Sequence, residues 1–82
     1  MNATISPTKI EVRGDELQFI RKNAPTGFAR IVSEVLTKEG IPTHRTVVHR
    51  ELHTIKDQYD FRIITKAREL LKTLANVEFE EQ

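Results

Sequence analysis

The sequence predicts one mainly α-helical domain built from four helices. Three observations carry that expectation. Apolar residues recur at spacings of three and four along most of the chain, Gly, Pro and short polar residues punctuate those stretches, and the 82 residues, 38% of them hydrophobic, suffice for one core. The chain shows no repeat, no low-complexity run and no linker rich in Gly, Ser or Pro, so residues 1–82 read as one domain. Its helical centre is expected over 14–76, between the terminal segments 1–13 and 77–82.

At the N-terminal end, Lys9-Ile10-Glu11-Val12-Arg13 alternates strictly and reads as a short strand. Gly14 breaks that pattern, and Asp15 can cap a first helix running to Asn23, carrying Leu17, Phe19 and Ile20, before Pro25 stops it. Thr26 can cap the second helix, in which Phe28, Ile31, Val32, Val35 and Leu36 form one stripe. Gly40 suits the left-handed residue at its end, with Ile41 packing back and Pro42 preventing continuation.

Thr43 is the next cap, opening a helix to about Thr54 whose inner face is Val48, Leu52 and Ile55. Residues 56–59 read as a loop, with Tyr59 the one aromatic residue off the expected core faces. Asp60 can cap a long last helix with Phe61, Ile64, Ala67, Leu71 and Leu74 on a broad apolar face, ending at Asn76. Beyond it Val77-Glu78-Phe79-Glu80-Glu81 alternates again, and a short β-ribbon could join the N- and C-terminal segments, with frayed ends as the alternative.

Composition excludes several classes. Without cysteine there can be neither disulfide nor thiolate metal site, and no apolar run exceeds two residues, against the roughly 20 a membrane-spanning helix needs. The start of the chain lacks the basic and apolar regions of a secretory signal, so the expectation is a cytoplasmic protein, with nucleoid association if it binds DNA. The net charge of +1 is unevenly spread: residues 1–20 carry −1, residues 21–50 carry +4, and residues 51–82 carry −2. No acid lies between Glu39 and Glu51, and His44, His49 and His53 fall in or just beyond the basic centre. Such a stretch points to an anionic partner.

The helix opening at Thr43 carries His44, Arg45, Thr46, His49, Arg50 and His53 on its polar side. A helix of this kind fits the major groove of duplex DNA, where Arg can reach guanine edges or phosphates and shorter polar side chains can reach bases. Gly40-Ile41 followed by Thr46-Val47-Val48-His49-Arg50-Glu51-Leu52 resembles the turn and recognition helix of helix-turn-helix DNA-binding domains of the Lac-repressor and phage-repressor type. Ile31, Val32, Val35 and Leu36 resemble the first helix of that motif, and residues 63–71 the helix that closes such domains, so about residues 15–75 are covered. The resemblance implies a compact helix-turn-helix domain, a small transcriptional regulator specific for a double-stranded DNA sequence. Bases would be read by Thr43, His44, Arg45, Thr46 and His49. Phosphate contacts would come from Thr26, Gly27, Arg30, Arg50 and His53. A homodimer on a two-fold site is expected, with any effector function left to a separate protein.

Other readings of these residues are weaker. His49 and His53 have the i, i+4 spacing of two helical metal ligands, but Arg50 stands where a zinc-protease helix needs Glu and would repel a cation, so no metal or other cofactor is expected. With no cysteine nucleophile, no Gly-rich phosphate loop, and Ser6 and Ser33 outside any recognisable triad spacing, no catalytic residue and no enzyme activity is expected. The main alternative is a helical protein–protein interaction module without nucleic-acid binding. It would need an apolar outer face where this chain shows Arg and His.

Overall fold

The structure, a computed structural model, describes residues 9–76. They form β1 (Lys9–Ile10), α1 (Gly14–Asn23), α2 (Phe28–Lys38), α3 (Arg45–His53), β2 (Tyr59–Asp60) and α4 (Phe61–Ala75), a mainly helical domain with one small sheet. No helix among these residues is long and apolar enough to cross a membrane.

The predicted caps lie within two residues of the observed ones, and the differences have local causes. Arg13 occupies the cap position of α1, and Asp15 moves into the first turn, where its Oδ1 accepts from the Glu16 amide at 2.9 Å. Thr26 does not cap α2. Gly27 takes that position at φ 77°, a left-handed conformation that favours glycine. His44 replaces Thr43 as the cap of α3, its Nδ1 accepting from the Thr46 amide at 3.1 Å. Asp60 caps α4 as expected, accepting from the amides of Arg62 and Ile63.

The end of α2 follows the sequence pattern. Gly40 is left-handed at φ 90°, its amide donates to the Thr37 carbonyl, and the Ile41 amide donates to the Leu36 carbonyl at 2.9 Å. These bonds satisfy carbonyls left open at the helix end and turn the chain back. Asn76 closes α4 in the same left-handed region at φ 54°.

Each helix contributes its apolar stripe to one core. Leu17 and Ile20 from α1, Phe28, Val32 and Leu36 from α2, Val48 and Leu52 from α3, and Ile63, Ile64, Ala67 and Leu71 from α4 are all buried. At about 25 cal/mol per Å² of apolar surface, this shared burial drives the helices together.

The strand at Lys9–Ile10 pairs antiparallel with Tyr59–Asp60, Ile10 opposite Tyr59, while the expected ribbon with the C-terminal segment falls outside the described residues. Three expectations are corrected. Tyr59, expected off the core, is buried: its hydroxyl donates to the Thr54 carbonyl at 2.8 Å and accepts from the Lys56 amide at 3.0 Å. With Tyr59 filling that place, Ile55 is turned outward and 88% exposed, because α3 ends at His53 and the helical period that would have brought Ile55 inward is broken. Leu74, near the end of α4, is also exposed.

Candidate nucleic-acid interface

The packing of α3 decides which of its side chains face outward. At about 100° per residue, Val48, Leu52 and Glu51 share one side of the helix, and all three are buried. Thr46, Arg50 and His53 fall on the opposite side. Arg45 and His49 lie on one flank, His44 and Val47 on the other, and all of these outward and flanking residues are exposed.

Glu51 is the single acid of α3, and the fold removes it from this surface. Its Oε1 lies 2.5 Å from Lys56 Nζ, and its Oε2 accepts from the Asp60 amide, also at 2.5 Å. One carboxylate thereby joins α3 to the following loop and to the start of α4, and its charge is matched internally. Burying a carboxylate is tolerable when it is paired in this way. The exposed face of α3 is left with Arg45 and Arg50, neither of which has an acidic partner among the described residues.

The N-terminal end of α2 stands beside this face. Gly27, Ala29 and Arg30 from α2 and its cap line an open cleft of about 480 Å³ together with Arg45, Thr46 and His49 of α3. Five of the ten residues singled out in the sequence therefore meet at one place. Arg30 is held at 3.1 Å by Glu34 one turn along α2, but both side chains are more than half exposed. Such a pair is worth little and exchanges readily for a stronger anion.

The remaining five are placed differently. Arg50 lies on the most outward line of α3, one turn beyond Thr46. His53 lies further along, its Nδ1 2.8 Å from the His49 carbonyl and its ring stacked on that of His49 with centroids 4.1 Å apart. Thr26 is exposed in the connection before α2. His44 uses Nδ1 for the cap, which directs its free edge to the other flank of α3. Thr43 is committed to the turn: its hydroxyl donates to the Ile41 carbonyl at 2.8 Å, and its amide donates to the Thr37 hydroxyl at 3.3 Å. No group of three metal-ligating side chains occurs among the described residues.

Two contacts that sequence reasoning missed hold α3 in position. The buried Ser33 hydroxyl, in mid-α2, donates to the Thr43 carbonyl at 2.6 Å, one residue before the cap of α3. Arg21 of α1 donates through Nε to the Leu52 carbonyl at 2.5 Å, near the opposite end of the helix. The basic Arg21 and small Ser33 gave no signal by spacing, since each acts on a backbone atom far away in the chain.

Compared with known proteins, the chain matches no family model, no curated protein and no solved structure.

Proposed function

We propose that this protein binds double-stranded DNA through α2, the turn and α3, used as a helix-turn-helix. One observation carries the reading: α3 turns its single acid inward onto Lys56 and presents an outward face of Arg without acidic partners, Thr and His beside the start of α2. Seated in the major groove, α3 would bring Arg45, Thr46 and His49 to base edges, with Arg50 one turn further along. Gly27 and Arg30 would meet the phosphates at the groove's edge, the glycine because no side chain stands in the open space at the start of α2. Thr43 shapes the turn in this reading and does not read a base.

The protein-interaction alternative has less to support it. Val47, Ile55 and Leu74 are the large apolar residues most exposed, and Val47 and Ile55 border different clefts and do not form one stripe. Pairing of two copies on a two-fold site, a role in transcription and a separate effector protein all belong to the proposed reading, since a domain this small gains affinity from a second half-site.

Selection of bound duplexes from a random library, with affinity followed against salt, tests the proposal. The expected result is an enriched motif and an affinity that falls steeply as salt rises. A salt slope with no enriched motif would reduce the function to nonspecific binding, and no retained duplex would overturn it.

A further inference from the structure

The proposed interface has a second edge. A helix lying in the major groove, which is about 12 Å wide, has a sugar–phosphate backbone on each side. The cleft holding Gly27 and Arg30 borders the flank of α3 that carries Arg45 and His49. The opposite flank, carrying His44 and Val47, borders another cleft of about 340 Å³, closed on its far side by Asp60, Arg62 and Ile63 at the start of α4.

Arg62 is the cation of that second cleft. It is exposed, and its guanidinium has no ion pair among the described residues. Neighbouring cations of α4 differ: Lys66 is bound to Glu39 and Glu69, and Arg68 to Glu16. The acid lining the same cleft is Asp60, whose Oδ1 accepts from the amides of Arg62 and Ile63. Asp60 thereby caps the first turn of α4, from which the Arg62 side chain extends.

Resting on the DNA-binding reading, we infer that Arg62 anchors the phosphate backbone of the strand across the groove from the one held by Gly27 and Arg30. The two cationic edges then clamp α3 between the two strands, and α4 is part of the interface as well as of the core. A planar guanidinium pairs with phosphate oxygens in bidentate fashion, whereas an ammonium acts as a point charge.

The test compares wild type, Arg62→Ala, Arg62→Lys, Arg30→Ala and Arg45→Ala on the selected duplex and on a random-sequence duplex. For Arg62→Ala the expected result is an equal loss of affinity on both duplexes and a salt slope shallower by about one released counterion, with the slope restored in Arg62→Lys. A structural role would lower affinity and leave the slope unchanged. Neutral methylphosphonate linkages placed one at a time then locate the contact. Arg62→Ala should become insensitive at a phosphate on the strand opposite the one marked by Arg30→Ala. Unchanged affinity and slope in Arg62→Ala, with Arg45→Ala impaired, would overturn this inference and leave DNA binding standing, as would both marks falling on one strand. A wild-type protein that binds neither duplex would overturn both.

Discussion

The contacts that tie α4 to α1 and to the end of α2, and the exposed face of α3, use the same charged residue types to opposite ends. On the first, Arg68 forms a bidentate pair with the buried Glu16 at 2.7 and 2.8 Å, and Lys66 bridges Glu39 and Glu69 at 2.8 and 3.0 Å. These bonds raise both cations above their ordinary pKa ranges, the main cause for Lys66 being the hydrogen bond it donates to Glu39 and for Arg68 the one it donates to Glu16. On the second, Arg45 and Arg50 have no such partner among the described residues, and the one acid of α3 has been drawn inside. Paired charge links elements of the fold, while unpaired charge remains available to a partner. A nearly neutral chain can therefore hold a cationic surface, provided its acids are placed elsewhere.

The sharpest way to break that comparison is at Glu51, where both uses of charge meet. Glu51→Ala leaves the Asp60 amide and Lys56 without their acceptor, and should cost about 2 to 3 kcal/mol of stability. Denaturant unfolding measures this, and a loss under about 0.5 kcal/mol would show that the carboxylate does not join α3 to α4. On the exposed side, Arg45→Ala should leave the unfolding midpoint unchanged while weakening specific duplex binding by about 1 to 3 kcal/mol. An equal loss on every sequence would move Arg45 from bases to phosphates.

Gly27→Ala comes next. The added methyl meets no neighbouring atom, but φ 77° is strained for alanine, so unfolding should show a loss of about 1 kcal/mol. The smallest effect concerns pH. Because the folded state raises the Lys66 pKa above its ordinary value of 10.5, its contribution is complete at neutral pH and fades as pH rises through the raised value. Thermal unfolding between neutral and strongly alkaline pH should show a decline above that range that Lys66→Met lacks. Parallel curves for the two proteins would show that the ion pairs of Lys66 do not contribute.

The particular residues show why some of this was readable in advance. The stripe at Phe28, Val32 and Leu36, the left-handed Gly40 with Ile41 behind it, and the Asp60 cap depend on neighbours within about one turn, so spacing alone exposes them. The meeting of Gly27, Arg30, Arg45, Thr46 and His49 follows from two amphipathic helices joined by a short turn, and was legible to that extent. Tyr59 and Ile55 were misplaced because their environments depend on where α3 ends and on a strand almost fifty residues earlier. Ser33, Arg21 and Arg62 were overlooked because a lone polar residue carries no period.

What the sequence by itself determined is the number and type of the helices, their caps to within two residues, and the concentration of cations in the middle of the chain. Those properties are local, fixed by backbone preferences and side-chain periodicity. Only the tertiary structure decided that Lys9–Ile10 pairs with Tyr59–Asp60, that Glu51 is buried against Lys56, and that Arg62 stands across a cleft from α3. Each of these joins residues from different elements. The relative placement of those elements is set by close packing of one shared core, which no single segment encodes.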